Sequence, residues 1–171
     1  MKTKLAHIKL LLLDVDGVLT DGGITYSDSG EQIKTFNSKD GFGIRLLMDS
    51  GIQVGIITGR KSKALEYRCK NLGITLLFDG IKDKSKALDK IRSQTKIMPD
   101  QIAFVGDDLM DIPVMKMVGV SFCVSDACQE VKNHSEIITK QKGGHGAVRE
   151  ICESILKSQG LWETILNKYL S

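Results

Sequence analysis

No block of like charge, no Cys-x-x-Cys pair, no internal repeat and no long apolar run occurs in this 171-residue sequence, and each absence removes a class of protein. The 24 basic and 21 acidic residues are interspersed, so the net charge of +3 marks no nucleic-acid arm and no nucleic-acid partner is expected. The longest apolar run near the start, Leu10–Leu13, is far too short to cross a bilayer and is ended at once by Asp14; no membrane association and no cleavable signal are expected. Cys69, Cys123, Cys128 and Cys152 lie scattered, which argues against a zinc site or redox pair and suits a reducing, cytoplasmic setting. The remainder is ordinary for a globular chain: 42% hydrophobic and 26% charged residues, at a length that fits one domain over 1–171.

Short apolar runs bounded by Gly, Asp or Pro, at residues 8–13, 52–57, 75–78, 102–105 and 120–124, read as buried parallel strands. Helical spacing falls between them, over 41–49, 61–72, 84–94 and 109–118, the last with Pro113 in its early turns. Strand–helix alternation predicts an α/β fold, a Rossmann-like parallel sheet between two helical layers with right-handed crossovers. Residues 22–36, with Ile24, Tyr26, Ile33 and Phe36 around Ser27-Asp28-Ser29-Gly30, read as a β-hairpin inserted after the first strand. Residues 142–171 form a C-terminal tail in which Gly143-Gly144-His145-Gly146 leads to helices over 147–157 and 161–170.

Ligands of an open parallel sheet bind beyond the carboxyl ends of its strands, and four strands deliver polar residues there. The first ends in Asp14 and Asp16, the second in Thr58-Gly59-Arg60; the third is followed by Lys84, and the fourth ends in Gly106-Asp107-Asp108 with Asp111 a turn later. Carboxylates gathered in one place repel and take up protons unless a divalent cation offsets them, and magnesium prefers such hard oxygen ligands. Asp14 and Asp107 are therefore candidate metal ligands. Phosphate-ester hydrolysis needs a positioned nucleophile and neutralised charge. Asp14 suits attack on phosphorus to form an acyl phosphate; Asp16 suits protonation of the leaving oxygen and later deprotonation of water; Thr58 and Lys84 suit the phosphoryl oxygens.

Each residue also has a plainer reading. An acidic residue after a strand is often a helix cap, Thr58 alone is a strand-end hydrogen-bonder, and Lys82, Lys84 and Lys86 together make a solvated helix start. Asp108 and Asp111 read as caps of the next helix, with one of them orienting Lys84 or the metal. His7 and His134 read as surface residues and His145 as part of a loop.

The set Asp14-Val15-Asp16-Gly17-Val18-Leu19-Thr20, Thr58-Gly59-Arg60, Lys84 and Gly106-Asp107-Asp108-Leu109-Met110-Asp111 resembles the four signatures of the haloacid dehalogenase-like phosphatases, in order and on matching elements. That resemblance implies Asp14 as nucleophile, Asp16 as acid/base whose backbone carbonyl also binds magnesium, Asp107 as the remaining protein ligand, and Lys84 as the lysine chosen from its cluster. Within that superfamily the chain resembles the capless 3-deoxy-D-manno-octulosonate 8-phosphate phosphatases, through the hairpin, Lys39-Asp40-Gly41-Phe42-Gly43-Ile44, and Gly143-Gly144-His145-Gly146-Ala147-Val148-Arg149-Glu150. Lys39 stands where the resemblance leads one to expect arginine. The implied substrate is an anionic eight-carbon sugar acid phosphate of lipopolysaccharide precursor synthesis, for which Arg60 and then Arg68 are candidate contacts. Relatives acting on nine-carbon, sialic-acid-type phosphates often carry glutamate at the position of Arg60. The resemblance also implies a homotetramer joined through its hairpins, its tails gating adjacent sites from a flexible Gly143-Gly144 hinge, so that a chain cut after Gly143 keeps its sheet and loses turnover or specificity.

Two non-enzymatic readings compete. A phosphoacceptor signalling domain uses the same residue types, but with its acceptor on the third strand and its acidic pair on the first, whereas here the third strand ends without an acceptor. A phosphatase-like assembly domain would have no need of the complete acidic set.

Overall fold

The computed structural model describes residues 2–170. In chain order its elements are α1 (Lys2–Leu5), β1 (Leu10–Leu13), β2 (Thr25–Tyr26), β3 (Gln32–Ile33), α2 (Ser38–Asp49), β4 (Gln53–Ile57), α3 (Lys63–Leu72), β5 (Leu76–Phe78), α4 (Lys84–Thr95), β6 (Ile102–Gly106), α5 (Ile112–Met115), β7 (Val120–Cys123), α6 (Gln129–His134), β8 (Ile137–Ile138), α7 (Ala147–Ser158) and α8 (Trp162–Leu170). Six strands form one parallel sheet in the order β5-β4-β1-β6-β7-β8. The central strand is leucine at every position and fully buried, as a strand covered on both faces requires. From β1 the chain builds outward through β4 and β5, then crosses back to β6, β7 and β8 on the other side. The connections therefore diverge beside β1, and a crevice opens at the carboxyl ends of β1 and β6.

The expected α/β sheet is present with one strand more than the five expected. Ile137–Ile138 is too short for periodicity to reveal, as is α6 before it. The expected helix over 109–118 is a single 3-10 turn, Leu109–Asp111, followed by the four-residue α5. Pro113 brings no N–H, and the Asp111 carboxylate folds back onto the amides of Asp107 and Asp108. The inserted hairpin pairs Thr25 with Ile33 and Tyr26 with Gln32, apart from the main sheet. No helix among the described residues is long and apolar enough to cross a membrane.

The expected hinge at Gly143-Gly144 is tied to the body of the domain. Gly143 donates its N–H to Asp126 Oδ1 at 3.0 Å, Gly144 donates to the Val18 carbonyl at 2.9 Å, and Asn37 Nδ2 donates to the Gly144 carbonyl at 3.1 Å. A Cβ on Gly143 would lie 1.7 Å from the Gly17 carbonyl oxygen, so glycine serves close backbone approach here. Helix α7 then packs along α2, with Val148, Ile151, Cys152, Ile155 and Leu156 buried to 1% exposure or less. Its entry is fixed by buried Asp40, which accepts the backbone N–H of Gly146 and of Arg149. Burying a Val, Ile or Leu stabilises by about 1.5–3 kcal/mol, so the four aliphatic side chains alone are comparable to the roughly 5–15 kcal/mol that holds a domain together. Truncation after Gly143 is accordingly expected to abolish cooperative thermal unfolding; a truncated chain melting within a few degrees of the full one would refute this.

Candidate active site

Each strand end supplies one part of the crevice. Asp14 continues β1, its N–H bonded to the Val105 carbonyl at 3.1 Å, and a tight turn follows in which the amides of Leu19 and Thr20 both reach the Val15 carbonyl. Gly17 in that turn has φ +88°, and a Cβ there would meet Asp107 Oδ2 at 2.1 Å. A side chain at this position would clash with the opposing carboxylate as well as strain the backbone. Thr58, 2% exposed, follows β4, and Lys84 begins α4 behind the Asp83 cap. Asp14, Asp16, Thr58, Arg60, Lys84 and Asp107 line one cavity of about 350 Å³, together with Gly59, Asp108 and Met110.

The charges at its floor are unequal. Lys84 Nζ lies 2.8 Å from Asp14 Oδ1 and 2.6 Å from Asp111 Oδ1, with the Lys84 side chain 1% exposed and that of Asp111 fully buried. Oxygens of Asp14, Asp107 and Asp111 lie within 4.8 Å of one another, so three carboxylates share one ammonium. Burial pushes the Asp107 carboxyl up to about 8, helped by the charges of Asp14 and Asp111; burial also raises Asp14, to about 6, against the pull of Lys84. Burial alone would disfavour the Lys84 ammonium, but Asp14 and Asp111 outweigh it and its pKa is raised. Asp111 is fully committed: Oδ1 accepts from Lys84, and Oδ2 accepts the amides of Asp107 and Asp108 at 2.9 and 3.3 Å. Oδ1 of Asp107, by contrast, is buried without a hydrogen-bond partner among the described residues. An ionised carboxylate oxygen can only accept, and one buried among other carboxylates is satisfied by a proton or a hard cation. Asp14 and Asp107 thus fit a divalent ion, whereas Asp111 positions Lys84 and the loop.

Asp16 stands on the other wall. Its carboxylate bonds to the Lys34 ammonium, and Arg60 Nε lies 3.6 Å from its second oxygen. Asp108 accepts its neighbour's amide, Leu109 N–H, at 2.7 Å and caps the following turn, as one reading of the sequence had it. Arg68 is not brought to this cavity within the chain: its Nη2 donates to the Asn37 carbonyl at 2.9 Å and its guanidinium lies over the Phe36 ring. Within the chain, the Arg68 bond holds the entry of α2. No sequence motif marks Lys34 as part of this site. Strand alternation sets it on the side opposite Ile33, but nothing in the order of residues pairs it with Asp16, eighteen positions earlier.

A parallel sheet with an aspartate pair after its central strand, a threonine after the next, a buried lysine and a second acidic loop is the arrangement of a haloacid dehalogenase-like hydrolase, and residues 77–151 match the family model of that description. The sequence is 48% identical over 157 residues to the 3-deoxy-D-manno-octulosonate 8-phosphate phosphatase of Escherichia coli, covering 92% of this chain and 84% of that one. The crystal structure of the same-named phosphatase from Yersinia pestis superposes with a TM-score of 0.93 at 46% identity, covering 95% of this chain and 88% of that one. That from Moraxella catarrhalis, in complex with magnesium ion, phosphate ion and KDO molecule, does so with a TM-score of 0.96 at 39% identity, covering 98% and 97%. The chain belongs to the 3-deoxy-D-manno-octulosonate 8-phosphate phosphatase family.

Proposed function

We propose that this protein is a magnesium-dependent phosphomonoesterase that hydrolyses 3-deoxy-D-manno-octulosonate 8-phosphate to the free sugar acid and phosphate through an aspartyl-phosphate on Asp14. The observation that carries this reading is the Asp14 carboxylate, held 2.8 Å from a buried lysine beside the unpartnered Asp107 oxygen at the end of the central strand. The Moraxella catarrhalis relative bound to magnesium, phosphate and KDO supports the choice of ion and substrate.

Asp14 attacks phosphorus while Lys84 and Thr58 hold the phosphoryl oxygens. The leaving oxygen of the sugar takes a proton from Asp16, which then removes one from the water that cleaves the acyl phosphate. Asp14, Asp107 and, as the family resemblance implies, the Asp16 carbonyl would hold the magnesium, which supplies positive charge against the phosphoryl oxygens. Arg60, its side chain 52% exposed at the cavity, is placed for the anionic groups of the substrate. The hairpin exposes Ile24, Tyr26 and Ile33 on a ribbon too small to stand alone, which supports a homotetramer assembled through it. Four free cysteines support a cytoplasmic setting, in the branch that makes lipopolysaccharide precursors.

The experiment is phosphate release with and without magnesium from this substrate and from a nine-carbon sugar-acid phosphate. Preference for the first supports the whole reading, preference for the second moves the substrate, and no metal-dependent release from either would overturn it.

The carboxyl shifts give a second expectation. Asp14 and Asp107 hold protons in the folded chain that they release at lower pH when unfolded, so metal-free stability falls as pH rises from about 4 through about 8. Magnesium should therefore raise the melting temperature more at pH 8.5 than at pH 5.5, and Asp107→Asn should erase most of that difference. A magnesium effect independent of pH would contradict this balance of charge.

A further inference from the structure

Lys34 takes part in none of the steps above. It follows β3 of the hairpin, its side chain is 3% exposed, and its ammonium bonds to Oδ1 of Asp16. A lysine taken out of water to this degree is costly unless a carboxylate meets it, so it is no ordinary surface charge. Asp16 Oδ2 is differently placed: beside it stands Arg60, its Nε 3.6 Å away on a half-exposed side chain that lines the same cavity. One oxygen of Asp16 is thus fastened from behind by a buried group, and the other is left on the side of the crevice. A carboxylate on a loop has several side-chain rotamers, and proton transfer needs the one that puts an oxygen within reach of the reacting atom.

We propose that Lys34 is a positioning residue that holds Asp16 by Oδ1 and so presents Oδ2 to the leaving oxygen of the substrate. The inference rests on the phosphatase reading and adds to it a residue of the hairpin. As the phosphorus–oxygen bond to the sugar breaks and the phosphoryl group joins Asp14, the leaving oxygen takes its proton from Asp16 Oδ2. Lys34 gives up no proton and touches neither fragment.

A positioning role is distinguishable from a structural one by its dependence on the leaving group. An alkoxide needs protonation as it departs, whereas p-nitrophenolate does not, and kcat/KM reports the chain of events only up to the first phosphoryl transfer. With full-length protein and magnesium, Lys34→Met should lower kcat/KM about 100-fold on the sugar phosphate and less than about 5-fold on p-nitrophenyl phosphate, a loss at the low end of what general acid catalysis supplies. Lys34→Arg, which keeps a cation on Oδ1, should recover the sugar phosphate rate to within about 10-fold of the parent. In the Asp16→Asn background Lys34→Met should cost nothing further, because it acts through the missing group. Should Lys34→Met not fold, Lys34→Gln carries the same comparison. Equal losses on both substrates, an unchanged sugar phosphate rate, or an added loss in the Asp16→Asn background would each overturn the proposal. Failure of the parent protein to hydrolyse either compound would instead overturn the phosphatase reading beneath it.

Discussion

Asp14→Asn should reduce phosphate release by about 10⁴-fold or more, the scale of loss when a nucleophile that acts with its partners is removed, while the chain still folds. Asparagine keeps the shape of the side chain, and its amide oxygen still accepts from Lys84 at the position now 2.8 Å away. What it lacks is the nucleophilic charge. The substitution also removes one of the three carboxylates crowded around Lys84, so the metal-free variant should melt no lower than the parent even as activity disappears. Acid quenching during turnover should trap phosphate on the parent chain and none on the variant. A variant keeping more than a tenth of the parent rate would remove Asp14 from the nucleophile's role and leave it as a metal ligand only.

The sequence is readable where chemistry and periodicity coincide. Leu10–Leu13 followed by Asp14-Val15-Asp16 shows both a doubly buried strand and the carboxylates that its end must carry, and the structure places them at the middle of the sheet. Asp14, Asp16, Thr58, Arg60 and Asp107 are legible because each follows a strand and parallel strands bring their ends together, whereas Lys84 is singled out from Lys82 and Lys86 only by the family resemblance. Features set by packing between distant segments were not. The glycines at 143 and 144 have the composition of a hinge, and only the backbone pressed against them, Gly17 at the first and Thr20-Asp21 at the second, shows a need for glycine that flexibility does not supply. Arg68 has the charge of a substrate contact, but the Asn37 carbonyl claims it. Lys34 is invisible for the complementary reason: its burial depends on how a two-residue ribbon folds over the first loop, which no local pattern encodes.

Asp111→Ala should destabilise the protein by about 3–5 kcal/mol, the combined cost of breaking one buried ion pair of Lys84 and leaving two backbone amides without an acceptor. The carboxylate is fully buried and serves three donors: the Lys84 ammonium at 2.6 Å and the amides of Asp107 and Asp108. Alanine leaves all three without it and opens a space under Gly106, whose position a Cβ 2.4 Å from the Asp111 Cβ could not share. Asparagine does not solve the problem. If its oxygen turns to Lys84, its NH₂ faces two amide donors; if it turns to the amides, its NH₂ faces the ammonium. A cost of about 1–3 kcal/mol is therefore expected for Asp111→Asn, the penalty of buried donors left unsatisfied. Urea unfolding of the two variants beside the parent measures both, and the order alanine worse than asparagine worse than parent is required. Catalysis should suffer separately from stability, because Lys84 released from Asp111 has only Asp14 to turn to, and a lysine closed onto the nucleophile screens the charge that must reach phosphorus. An Asp111→Ala chain within about 1 kcal/mol of the parent would mean that the buried triad relaxes or admits water, and that Lys84 needs no second carboxylate to stay in place.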